Sequence, residues 1–366
     1  MNKIMPPTFH AWPVAMLMVA LLIGLTGSGV ARGQTAGTLV APGGKTLSGT
    51  ILGTSPNDVE IEDQAGDIKR VPIDRIQEVQ FSDEPPSLRQ ARRFIMGGRP
   101  SEAIDEIAKV EQSELSEASP LVMAEMDFVK AAGVGGLAVQ TGDGLAAADK
   151  EVAGFVGKHA RSHHFYEMQQ LLAEIRAKAG SFDGAEAAYA TLAKGPASFK
   201  VQSSAGKAGL LFNQQKFDDA VREYDAALAI DATDDASLSR KRLATLGKAR
   251  SLARLGKQSE AIALVNGLIK QVSAEDKELM ARAYVVLGGI YSGTKEKAQD
   301  ALISYLTVDL VYNTVPECHA EALYHLITLW KQARQDQRAD DAAQTLQAAY
   351  PQTQWARKAA GAGTSS

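Results

Sequence analysis

Residues 204–230 read SAGKAGLLFNQQKFDDAVREYDAALAI. Ala208 and Leu211 sit on one side of a first helical run, and beyond a turn near Phe217 the residues Ala220, Tyr224 and Ala227 sit on one side of a second. Steps of three and four residues return a helix to the same face, so the stretch predicts two helices folded against each other. Such a pair is apolar on both sides and has to be covered by a neighbour, which predicts further copies along the chain.

The copies are present. Upstream, Ala173, Phe182, Ala185, Tyr189 and Leu192 repeat the theme, and downstream Ala249, Leu252, Gly256, Ala261, Val265 and Leu268 do so. Gly288, Tyr291, Ala301 and Tyr305 follow with one inserted residue, and Leu326, Trp330, Ala342, Leu346 and Ala349, closed by Pro351, make a last copy. Small residues let two helices approach closely, and aromatic residues fill the gap between one hairpin and the next. The pattern is similar to the tetratricopeptide repeat (TPR) family. Its consensus has a small residue on the first helix, an aromatic before the turn, a small residue on the second helix, an aromatic four later and another small residue three beyond.

The second-helix alanines at 185, 220, 261, 301 and 342 are spaced by 35, 41, 40 and 41 residues, against the family's step of about 34. The resemblance therefore implies a mainly α fold, an α-solenoid of divergent TPR-like hairpins over residues 87–358. It is weakest between Ser116 and His164, where Gly133, Gly135, Gly136, Gly142 and Gly144 loosen a segment that otherwise looks helical. One degenerate repeat or an irregular elbow fits there. Gln354–Lys358 reads as the start of a capping helix, and residues 359–366 as a disordered tail.

Ahead of the helices the pattern changes. Residues 46–52 and 59–62 alternate, with Ser55-Pro56-Asn57-Asp58 and Gln64-Ala65-Gly66-Asp67 as turns, and two further runs follow at 68–73 and 76–81. So few residues cannot form a sandwich, so residues 37–84 resemble a small SH3-like or Sm-like β-barrel. Pro85-Pro86 ends the last strand and permits a helix to begin. Residues 1–33 have the layout of a signal peptide: Lys3 and His10, an apolar run from Val14 to Leu25, then small residues, with cleavage expected before Gln34. The apolar run is shorter than the ~20 residues a spanning helix needs; an uncleaved anchor, the alternative, would bring membrane contact.

The chain is 45% apolar and 22% charged, with a net charge of −4, the composition of a soluble protein. Removing residues 1–33 takes away Lys3 and Arg32, so 37 cations face 43 anions, a net −6. That balance argues against a general polyanion binder. Residues 37–86 hold four basic and nine acidic residues, so the barrel resemblance implies no nucleic-acid partner. A lone Cys318 excludes an intramolecular disulfide.

Chemistry-bearing motifs are sparse. Gly43-Gly44-Lys45-Thr46 resembles the end of a phosphate loop, but Leu39 stands where that loop needs glycine and a strand pattern follows, so a plain turn is expected. His159 and His163, with His164 beside them, could place imidazoles one helical turn apart; no third ligand is evident, and a solvated or packing role is expected. His319 and His325 flank Cys318 on different helix faces. Asp231 to Asp235 reads as a helix cap rather than a calcium loop. No G-x-S-x-G, C-x-x-C or H-E-x-x-H string occurs. No enzyme activity, metal or cofactor is expected.

In the TPR family the first helix of each hairpin lines a concave groove. The resemblance carries that role to Gln202, Phe212, Arg250, Arg254, Arg282, Lys331 and Arg334. Their cations imply an anionic protein or peptide ligand. The expected function is a non-catalytic interaction scaffold or adaptor, exported to the periplasm or cell envelope. The alternatives are a structural component of an envelope assembly, for which self-association is possible, and a cell-wall hydrolase with scattered catalytic residues.

Overall fold

A computed structural model describes residues 31–362. Residues 1–30, which hold most of the expected signal segment, and 363–366, the end of the expected tail, lie outside the described residues. The chain opens with five antiparallel strands: β1 (Ala31–Val40), β2 (Thr46–Thr54), β3 (Asp58–Asp63), β4 (Ile68–Pro72) and β5 (Glu78–Phe81). Cleavage before Gln34 would take the first three residues of β1. The strand order is β4-β3-β2-β1-β5. Gly43 and Gly44, both with positive φ, turn β1 into β2.

The sheet is not closed into the expected barrel. β4 and β5 are its two edges, and a 3-10 turn at Ile73–Arg75 connects them in sequence. Helices explain the open form. Val59 and Ile61 of β3 and Val79 and Phe81 of β5 alternate onto one face, where they join Leu88, Ala91, Val122 and Phe128 in a single core. Helical side chains cover that face, so it need not be covered by curling.

The helices follow in pairs: α1 (Pro86–Met96) with α2 (Pro100–Ile107), α3 (Pro120–Thr141) with α4 (Leu145–Lys158), α5 (Phe165–Lys178) with α6 (Phe182–Leu192), and α7 (Ala197–Asn213) with α8 (Phe217–Ala229). Then come α9 (Asp235–Arg254) with α10 (Gln258–Gln271), α11 (Lys277–Ser292) with α12 (Ala298–Val311), α13 (Pro316–Gln332) with α14 (Asp336–Ala349), and a final α15 (Gln354–Ala362). Each helix packs on the next, and each odd-numbered helix also packs on the following odd-numbered one. The odd helices therefore form one continuous layer and the even helices the other, which is the geometry of a solenoid.

Ala185, Ala220, Ala261 and Ala301 have no exposed surface, and Ala342 keeps 8%. Those second-helix alanines are where adjacent helices touch. The glycine-rich stretch is a full hairpin: Gly133, Gly135 and Gly136 lie inside α3, where it meets Ile104, Leu171 and Pro100 of its neighbours. Asp234 caps α9, accepting from the Ser237 amide at 2.8 Å. The last helix runs to Ala362, so residues 359–362 continue it rather than begin a tail. Among the described residues no helix is long and apolar enough to cross a membrane.

Candidate functional site

The concave layer encloses a cavity of about 790 Å3 between α7, α9, α11, α13 and α15. Phe212, Arg250, Arg254 and Arg282 all line it. Arg250 lies over the Phe212 ring at 5.2 Å, and Arg254 over Phe217 at 4.9 Å. Neither guanidinium has a carboxylate partner among the described residues. Arg282 differs: its Nη2 reaches Glu278 at 3.1 Å and Glu317 at 3.5 Å. Burial works against that charge, yet Glu317 and its acidic neighbours outweigh it and raise the pKa.

The other three groove candidates sit elsewhere. Gln202 is half-buried on α7, Lys331 is exposed in the last turn of α13, and Arg334 is exposed in the turn that follows it. None of them lines the cavity. Trp355 and Lys358 of α15 also line the cavity and carry no sequence signal for it, because nothing local in a terminal helix says which face of the array it returns to. Lys358 Nζ stands 4.3 Å above the Trp355 ring and also lacks a carboxylate partner among the described residues.

The cavity floor holds groups that resist ionisation. Burial raises the pKa of Glu321. It pushes the Cys318 thiol up to about 12, so the free cysteine is a packing residue rather than a nucleophile. His325, stacked on Tyr305 at 4.8 Å, is pushed down to about 4 by burial and the nearby Lys358. His319, which does not line the cavity, is held between Asp309 and Tyr350, each at 2.8 Å.

A second polar cluster lies where the sheet meets the first hairpins. Arg92 of α1, 3% exposed, forks onto both Glu84 oxygens at 2.9 and 2.8 Å, reaches Glu125 Oε2 at 3.2 Å and Glu78 at 3.4 Å. Glu125 of α3, 1% exposed, turns its other oxygen to His163 Nε2 at 3.3 Å and His164 Nε2 at 3.0 Å. The ring of His164 stacks on Phe128 with centroids 3.4 Å apart. Burial disfavours the Glu125 charge, but His164, His163 and Arg92 hold its pKa down to about 2. His164 is also opposed by burial, and Glu125 and Glu167 raise it to about 9. His163 is pushed down to about 3 by burial and by His164.

The sequence pairs His159 with His163 by spacing. The structure separates them: His159 binds Asp127 at 2.7 Å, and the imidazoles that gather are the adjacent His163 and His164. Glu125, the residue that gathers them, carries no motif and lies 39 positions from His164.

No family model matches the chain, and neither does any curated protein. Solved structures do. A tetratricopeptide repeat protein from Parabacteroides merdae aligns with 75% of this chain and 97% of its own at 15% identity and a TM-score of 0.47. BtubC from P. vanneervenii aligns with 63% and 93% at 17% identity and a TM-score of 0.42. The C-terminal part of a TPR repeat-containing protein from Cytophaga hutchinsonii aligns with 74% and 98% at 13% identity and a TM-score of 0.37. At TM-scores below 0.5 these likenesses carry no weight of their own. The architecture stands on the buried alanines and the two-layer helix pairing. The chain is a solenoid of TPR-like hairpins fronted by an open five-stranded sheet.

Proposed function

We propose that this chain is a non-catalytic interaction scaffold of the periplasm or cell envelope whose concave cavity takes an acidic segment of another protein. One observation carries the reading: Arg250, Arg254 and Lys358 border the cavity on aromatic platforms, and none of them forms an ion pair with a carboxylate among the described residues. A guanidinium stacked on a ring keeps its N–H groups free for a ligand, and a carboxylate would receive charge-assisted hydrogen bonds from them. Two acids border the same cavity: Glu317, paired with Arg282, and Glu321, whose charge burial opposes and the nearby Arg250 and Lys358 favour. The envelope location is supported by the signal-like residues 1–33.

Fluorescence anisotropy with a labelled Asp/Glu-rich peptide tests the binding. The R250E/R254E double variant is expected to bind at least about tenfold more weakly than the parent. Equal binding by the two chains, or no preference of the parent for acidic over neutral peptide, overturns the proposal. N-terminal sequencing of the chain from cells tests export, a start at Gln34 supporting it and an intact Met1 in a cytosolic fraction refuting it.

A further inference from the structure

The Glu125, His163 and His164 cluster lies outside the concave cavity and has no part in the scaffold reading. It brings one carboxylate oxygen and two imidazole nitrogens within 4.8 Å of one another. Zinc-class ions bind imidazole nitrogen and carboxylate oxygen at about 2.0–2.2 Å. Two ligands at that radius stand roughly 3.0 Å apart at right angles and about 3.4 Å apart at tetrahedral angles. The observed separations from Glu125 Oε1, 3.0 Å to His164 and 3.3 Å to His163, fall in that interval.

We propose that Glu125, His163 and His164 form a binding site for a divalent transition-metal ion of the zinc class at the joint between the sheet and the first hairpins. Two features beyond the triad support it. The first is its outer layer: His164 Nδ1 meets Glu167 Oε2 at 2.9 Å, and Glu125 Oε2 accepts from Arg92 at 3.2 Å. A carboxylate behind an imidazole fixes the ring and the tautomer that leaves Nε2 free to ligate. The second is charge. Among the described residues the four carboxylates of Glu78, Glu84, Glu125 and Glu167 face the three guanidiniums of Arg89, Arg92 and Arg240, so the cluster keeps an excess of negative charge that favours a cation.

A cavity of about 630 Å3 opens beside both histidines, giving an ion a way in and room for water as a further ligand. The competing arrangement leaves a proton on His164, shared between Glu125 and Glu167. Added metal distinguishes the two.

The experiment uses the full chain, stripped with a chelator and titrated with Co2+ at mildly alkaline pH while visible absorption is followed. A single ion per chain is expected, with d–d bands unlike those of aqueous Co2+ and displaced by added Zn2+. His163→Ala should abolish the bands, with circular dichroism confirming that the variant is folded. Glu167→Gln, at a half-exposed outer position that folding tolerates, should weaken binding about tenfold. His159→Ala, which touches Asp127 instead, should leave binding unchanged. Parent bands no different from aqueous Co2+, or equal binding by the parent, His163→Ala and Glu167→Gln chains, overturns the proposal.

Discussion

Five of the hairpin turns close with the same backbone bond, an amide donating to the carbonyl five residues earlier: Arg99 to Phe94, Ser181 to Arg176, Lys216 to Leu211, Lys257 to Leu252 and Gln335 to Trp330. Each requires a left-handed residue just before the donor, the helix C-terminal motif that glycine suits best. Gly98, Gly180 and Gly256 meet the demand, but Gln215 adopts φ 62° and Arg334 φ 58°. A side chain in that region costs roughly 1 kcal/mol. Arg334 is exposed and makes no ion pair among the described residues, so nothing offsets its cost. Arg334→Gly should therefore stabilise the C-terminal hairpins by about 0.5–1 kcal/mol, part of the gain being lost to the freer unfolded chain. A higher urea midpoint shows it; a lower one would mean that the arginine makes a compensating contact. The same geometry explains why Arg334 is absent from the cavity. The left-handed residue is visible in sequence at the turns bearing glycine but not at Gln215 and Arg334, whose backbone is imposed by the helices they join.

At the scale of elements, the register of one hairpin on the next is set by tyrosines of the second helices. Tyr224 of α8 lies against α9 so closely that a Cβ on Gly247 would stand 2.3 Å from its ring. The ring is 8% exposed, so an added methyl group would force it out of its packing against α9 towards the cavity it borders. Gly247→Ala should thus destabilise the chain by about 1–2 kcal/mol, the overpacking outweighing the better helix propensity of alanine. Denaturant unfolding checks it; a stabilised variant would show that α8 and α9 can slide apart. Those contacts were legible because Ala220, Tyr224 and Ala227 are spaced as one face of one helix. Where no such spacing exists, the sequence was silent. β1 merges with the small residues after the apolar segment and shows little alternation, so its pairing with both β2 and β5 is a product of the assembled sheet. Covering by α1 and α3 likewise decides that the sheet stays open, a choice made by elements distant from the strands themselves.

At the scale of the molecule, the array curls until its end meets its beginning. Arg357 of α15 pairs with Asp143 in the α3–α4 turn, 214 positions away, so the concave face is walled by the last helix rather than left as an open trough. Sequence periodicity describes neighbours and holds no information on where a superhelix returns. His325 of α13 sits at this closure, stacked on Tyr305 at 4.8 Å and 5.8 Å from the Trp355 ring of α15. Burial and the nearby Lys358 lower its pKa from 6.5 to about 4, so the folded chain holds it neutral. A pKa lowered on folding means that the unfolded state binds the proton more readily. Its contribution to stability is complete above about pH 6.5 and is lost as pH falls towards 4. The largest loss this shift allows is about 3 kcal/mol, and it falls on the contact between α13 and α15, where a new imidazolium would face the Lys358 ammonium. Unfolding followed by Trp fluorescence should show stability declining between pH 6.5 and 4, and His325→Phe, which keeps a ring on Tyr305 without a titrating nitrogen, should flatten that decline. An identical pH dependence in the two chains would place the acid sensitivity elsewhere and leave α15 docked by packing alone.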